Sequence, residues 1–238
     1  MAQVTEHHAL IVAHGSPSEP DVQEAALTDL ATLVSASLTG WTVRGATVAA
    51  PGAVEQAIAE LERPLVYPFF MAPGWFVDVC LPKRLGPRIG KILAPLGCDP
   101  ELPALVRNKL LDTLSAKELT ARETSLVLAA HGSPRHPENG QAVRQFASTL
   151  KSQLNPRCVN LGFIEEPPYL KDVARIEEPA ICVPFFAAEA GHVTQDIPEA
   201  LSEAGFEGSV LPPLIKYHGL ADLIAKSLAR ARCDRRAA

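Results

Sequence analysis

The sequence predicts an α/β protein of two tandem three-layer α/β/α units, each built on a four-stranded parallel sheet. Three observations lead there. The chain repeats itself: Ala9 to Pro17 returns as Leu126 to Pro134, with the two histidines 117 positions apart (131 − 14). Pro68-Phe69-Phe70 returns as Pro184-Phe185-Phe186, and Pro82 as Pro198, both 116 positions on (184 − 68; 198 − 82). A near-constant offset over several anchors marks a duplication. Second, Leu10 to Ala13 and Leu126 to Ala130 are short unbroken apolar runs, the pattern of parallel strands covered on both faces. Third, 21 Pro and 15 Gly with only 5% aromatics imply many short connections, which suit alternating strands and helices better than a helical bundle.

The elements follow in order. After each first strand comes His-Gly-Ser-Pro and then a helical pattern, Val22, Ala25, Ala26, Leu30 and Leu33 in the first copy and Ala142, Val143, Phe146, Leu150 and Leu154 in the second. Second strands are expected at Trp41 to Val48 and Val159 to Ile164, third strands at Pro64 to Phe70 and Ala180 to Phe186. A last short strand is expected near Glu101 to Leu105 and again at Ser209 to Leu214. The polar stretch Ser115 to Thr124 joins the copies, so the expected units are 1–117 and 118–238.

A formal net charge of −5 speaks against a nucleic-acid binder that works by neutralising phosphates. No uninterrupted apolar run long enough to span a bilayer is present, and Met1 to His8 carries no signal-peptide pattern; a cytoplasmic protein with no membrane partner is expected. The five scattered cysteines include no C-x-x-C pair, which supports reduced, buried thiols rather than a disulfide framework or a thiolate metal site.

In open parallel sheets ligands bind beyond the carboxyl ends of the strands, and in the second copy those positions are chemically unusual. His131 follows the first strand, Glu165 (with Glu166 beside it) the second, and His192 lies in the loop after the third. Neutral imidazole is a versatile ligand of divalent transition metals, and a carboxylate completes the set or accepts a proton. His131, His192 and Glu165 are therefore the candidate metal-binding and catalytic residues. A histidine phosphatase also places His-Gly after its first strand, but needs an Arg immediately before the histidine, where this chain has Ala13 and Ala130.

The first copy supplies an internal comparison. His14 and Ser16 persist, but the counterpart of Glu165 falls near Val48, that of His192 on Phe76 and that of Glu189 on Pro73. The second copy is thus expected to hold the reacting groups and the first to offer an apolar wall. Met71, Trp75 and Phe76 suit the face of a flat macrocycle, with simple core packing as the alternative.

The strand-His-Gly-Ser opening, Gly162-Phe163-Ile164-Glu165 before two prolines, Pro184-Phe185-Phe186 leading to Gly191-His192-Val193 and Asp196-Ile197-Pro198, and Leu214 to Leu220 together resemble the sirohydrochlorin chelatases of the CbiX/SirB type in their long, two-unit form. The resemblance covers essentially the whole chain. It implies the class II chelatase fold and insertion of Fe²⁺ or Co²⁺ into a tetrapyrrole in sirohaem or cobalamin synthesis. The family's two histidines fall on His131 and His192 and its acid on Glu165, with Glu166 able to exchange roles because the following segment is shorter than the family's. The ion is then a substrate, and no tightly bound cofactor is expected. For the ring and its carboxylates the candidate binding residues are Ser133, Arg135, His14, Ser16, Trp75 and Phe76, with His136, Lys83, Arg84 and Arg88 as further cations. A cleft formed within one chain suggests a monomer. The competing reading is a carrier that binds ring or metal without catalysis; two imidazoles and an acid kept in one copy favour the enzyme.

Overall fold

The structure, a computed structural model, describes residues 6–17, 19–132, 139–176, 179–189 and 191–237. The first sheet contains β1 (His7–Ala13), β2 (Trp41–Thr47), β3 (Leu65–Pro68) and β4 (Lys91–Ile92), all parallel in the order β2-β1-β3-β4. The second contains β5 (Ser125–Ala130), β6 (Cys158–Phe163), β7 (Ala180–Pro184) and β8 (Ser209–Val210) in the matching order β6-β5-β7-β8. Two four-stranded parallel sheets are the architecture expected from the repeat. All six residues of β5 are buried, as a central strand covered on both faces requires.

The helices are α1 (Pro20–Ala36), α2 (Ala53–Ala59), α3 (Leu81–Leu85), α4 (Leu102–Ala116), α5 (Asn139–Leu154), α6 (Leu170–Val173), α7 (Ile197–Ala204) and α8 (Leu220–Ala237). Several expectations are corrected. Glu101 to Leu105 is not a strand but opens α4. Pro103 fits the first helical turn, and Leu102, Val106, Leu110 and Leu114 form a buried stripe at four-residue spacing. The counterpart of β8 is instead Lys91–Ile92. In α1 the buried face is Leu27, Leu30, Ala31 and Val34, while Val22 and Leu33 are exposed; in this Leu- and Ala-rich helix several faces are apolar enough to compete. In α5, Val143, Phe146, Leu150 and Leu154 of the expected face are buried and Ala142 is half-buried. Of the cysteines only Cys182 is buried, and burial pushes its thiol up to about 12; Cys80 and Cys158 are half-buried, and Cys98 and Cys233 are exposed.

Packing does not divide the chain where the repeat does. One compact unit comprises Met1–Asp99 with His218–Ala238, the other Pro100–Tyr217. Each copy's last helix thus completes the other copy's layer: α8 packs on α1 and β3 in the first unit, and α4 on α5 in the second. The break therefore falls after Asp99, not after residue 117. Asp99 is the polar fastening of α8. This carboxylate is 5% exposed and accepts hydrogen bonds from Tyr67 Oη (3.0 Å) and Ser227 Oγ (2.5 Å), with Arg230 Nη2 at 3.9 Å. Burial and the adjacent Asp99 charge hold the Tyr67 phenol protonated, well above its ordinary range. The backbone of Gly97 donates to Phe70 O at 3.0 Å, which fixes the turn that presents Asp99.

Removing this acceptor strands two buried hydroxyls. Asp99→Ala is expected to lower unfolding free energy by about 1–3 kcal/mol, while the exposed Asp112→Ala shifts it by no more than about 0.5. Urea denaturation of both variants checks this.

Candidate active site

The second unit assembles its site where β5, β6 and β7 end. The ladder continues past the strands: Ile164 N donates to Ala130 O (3.0 Å), Glu165 N to His131 O (2.9 Å), and Phe185 N to Ala129 O (2.7 Å). The chain can turn sharply after His131 because Gly132 has φ +80°, a left-handed conformation that disfavours any Cβ. A Cβ there would also lie 2.8 Å from Glu166 Cγ. The turn brings the Gly132 carbonyl back to His131 Nδ1 at 2.8 Å. A carbonyl can only accept, so Nδ1 carries the proton and Nε2 keeps its lone pair.

His192 arrives from a different element. After β7 the loop is tied down by Leu214 N to Phe186 O (3.0 Å) and Ile215 N to Ala187 O (2.8 Å). A π-helical turn, His192–Asp196, then leads into α7; such wide turns are frequent at functional sites. The turn points His192 Nε2 at His131 Nε2, 3.0 Å away, with the rings 4.4 Å apart between centroids and crossing at 86°. His192 Nδ1 meets Asp196 Oδ2 at 2.5 Å.

This spacing suits a shared cation. An imidazole nitrogen sits about 2.0–2.1 Å from a first-row ion, so nitrogens 3.0 Å apart subtend about 91–97° at it. That is the angle between adjacent ligands of an octahedral ion.

The structure brings together two of the three residues expected to bind metal. Among the described residues no third His, Cys, Asp or Glu side chain completes the pair into a metal-holding group. Glu165 lies beside His131 along the backbone but is exposed, whereas Glu166 is half-buried over Gly132. Asp196 was legible only as part of a motif; its spacing of four from His192 (196 − 192), one helical turn, is the signal that marks it. Glu189 pairs with Lys216 at 3.3 Å. Behind Asp196 lies a cavity of about 290 Å³ lined by Phe163, Ile164, Tyr169, Leu170, Lys171 and Ala200. Ser133, Arg135 and His136 lie outside the described residues.

The first unit repeats the geometry with different chemistry. Gly15 has φ +77°, and His14 Nδ1 lies 3.0 Å from Gly15 O. Ala49 N donates to His14 O at 2.9 Å, so the structural counterpart of Glu165 is Ala49, one residue beyond the Val48 that sequence offset suggests. The π-helical turn Phe76–Cys80 leads into α3. It sets the Phe76 ring 4.4 Å from the His14 ring at 75°, the placement His192 has against His131, without a second nitrogen. Trp75 stands edge-on to Phe76 at 5.1 Å and is 59% exposed, so core packing does not account for it; Ser16 and Met71 are half-buried. Arg84 is engaged by Glu55 (2.6 and 3.0 Å) and Val48 O, which removes it from the free cations, while Lys83 and Arg88 are exposed.

Comparison with known proteins agrees with this geometry. The CbiX family model matches residues 125–231, the stretch that carries His131, Glu165 and His192. A solved structure described as CbiX, the terminal enzyme for biosynthesis of siroheme in denitrifying bacteria, is 41% identical. The match covers 94% of this chain and 99% of that one, with a TM-score of 0.87.

The chain belongs to the CbiX family.

A sirohydrochlorin cobaltochelatase of Methanococcoides burtonii is 28% identical over 123 aligned positions, covering 44% of this chain and 93% of that protein. SirB from Bacillus subtilis with Fe³⁺ shares the fold at 18% identity and a TM-score of 0.73, covering 95% of this chain and 94% of that one. The fold of the CbiX-type chelatases thus extends over nearly the whole chain. Among the described residues no helix is long and apolar enough to cross a membrane.

The first unit keeps the geometry but lacks the second nitrogen and, at Cys80, the acid one turn behind it, so restoring both makes a second site. Phe76→His combined with Cys80→Asp is expected to raise Co²⁺ binding from about one to about two ions per chain, counted by equilibrium dialysis.

Proposed function

We propose that this chain is a sirohydrochlorin chelatase that inserts Fe²⁺ or Co²⁺ into the ring for sirohaem or cobalamin synthesis. The observation that carries the reading is the His131–His192 pair, two imidazole nitrogens 3.0 Å apart at the strand ends, in a chain that is 41% identical to a CbiX over nearly its full length.

The reaction exchanges two pyrrolic protons for one divalent cation. The ion must shed waters, be held, and then leave for four ring nitrogens. His131 and His192 supply two ligands and leave the remaining positions to water or ring nitrogen. A closed protein shell would trap the ion, whereas an open one lets it pass on. His131 is exposed and His192 half-buried, so ring and ion can reach both. Glu165 and Glu166, adjoining His131 at the end of β6, are the acids placed to take the displaced protons. Within the first unit, Trp75 and Phe76, with His14 against the Phe76 ring, offer an aromatic surface suited to a flat macrocycle. Exposed Lys83 and Arg88 in the first unit are assigned to peripheral carboxylates of the ring.

The test is anaerobic absorbance spectroscopy with sirohydrochlorin and each ion in turn. His131→Ala and His192→Ala are each expected to cut the insertion rate by about 100-fold or more, since either leaves a single imidazole. His14→Ala is expected to change it by about threefold at most. Equal damage from His14→Ala and His192→Ala contradicts the assignment of the working unit. Unaccelerated insertion by the wild-type protein, with ring binding retained, makes it a carrier.

A further inference from the structure

We propose that Asp196 is a positioning residue that commits His192 to the tautomer with a bare Nε2, so that both imidazoles of the pair offer lone pairs to the metal substrate. The proposal rests on reading His131 and His192 as the metal-binding pair.

A carboxylate has no proton to give, so the 2.5 Å contact from Asp196 Oδ2 to His192 Nδ1 places the imidazole proton on Nδ1. Gly132 O does the same for His131. With both Nδ1 atoms donating, the two Nε2 atoms face each other at 3.0 Å with no proton between them. Such a contact repels until a cation bridges it. Were His192 free to hold its proton on Nε2, the two rings would satisfy each other with one N–H···N bond. The ion would then have to break that bond before entering. A carboxylate behind a ligating imidazole also raises its basicity.

The first unit separates this role from a structural one. Its π-helical turn Phe76–Cys80 and the helix that follows form with Cys80 where the second unit has Asp196. An acid is therefore not needed at the last position of the turn, although Asp78 inside the first unit's turn accepts from Gly74 N at 2.9 Å. Where the histidine has become Phe76, the acid has become Cys80, while Pro82 and Pro198 are retained. The two residues have changed together, as a ligand and its support would. Asp196 also borders the cavity of about 290 Å³ and its side chain is 40% exposed, so truncation opens no enclosed core.

The test combines ¹⁵N NMR of the histidine side chains in the metal-free protein, Co²⁺ titration and steady-state insertion kinetics. In the wild type, His192 is expected as the Nδ1–H tautomer; a predominantly Nε2–H His192 overturns the proposal whatever the variants do. D196A is expected to shift His192 towards Nε2–H, weaken Co²⁺ binding about 10- to 100-fold and lower kcat by a similar factor with KM for the tetrapyrrole unchanged. D196N, whose amide oxygen still accepts from Nδ1, is expected to recover most of the Co²⁺ affinity. A D196A protein with wild-type tautomer and Co²⁺ affinity within about twofold of wild type refutes the role. The NMR and Co²⁺ readouts need no tetrapyrrole. If the wild-type protein inserts no metal, the functional reading fails while these two measurements still decide the role of Asp196.

Discussion

The site depends on one constraint: two imidazole nitrogens from separate elements must converge with their protons on the far side. His131 is delivered by β5 and turned by Gly132; His192 is delivered by β7 through a wide helical turn. Their Nε2 atoms meet at 3.0 Å. The rigid part is the sheet, since adjacent parallel strands fix the separation of the two loop starts, and backbone bonds beyond the strand ends extend that rigidity to the residues themselves. A site on strand ends is held more tightly than one on free loops.

The duplication shows which parts of this arrangement belong to the fold and which to the chemistry. Both units keep the histidine, the left-handed glycine, the carbonyl at Nδ1 and a ring at 4.4 Å. Only the second keeps nitrogen in that second ring and an acid behind it. The first unit has instead become aromatic, with Trp75 exposed beside Phe76. One scaffold thus carries two chemistries, an imidazole pair in one copy and an exposed aromatic surface in the other. The exchange of terminal helices, fastened in the first unit by buried Asp99, shows that the two copies of sequence are not two separable pieces of structure.

Much of this was legible in the residues. The offset of 116 to 117 gave both sheets, and the rule that ligands gather beyond strand ends picked out His131 and His192 without any structure. What was not legible has physical causes. The two-residue edge strands are too short to show a period, so Glu101 to Leu105 read as a strand when its four-residue spacing continues into α4. The helix exchange leaves no local mark, because α4 and α8 have similar buried stripes wherever they dock. The counterpart of Glu165 is one residue off by counting, since only the hydrogen bond from Ala49 to His14 fixes the register. The support of His192 by Asp196 depends on the direction of two side chains, which spacing suggests but does not determine.

X-ray absorption at the cobalt edge of the Co²⁺-loaded protein is the most direct measurement of the central claim. The account predicts the scattering of two histidine imidazoles per ion in the wild type, one in His192→Ala, and two in His14→Ala. One imidazole or none in the wild type, or a loss of imidazole scattering in His14→Ala, contradicts it.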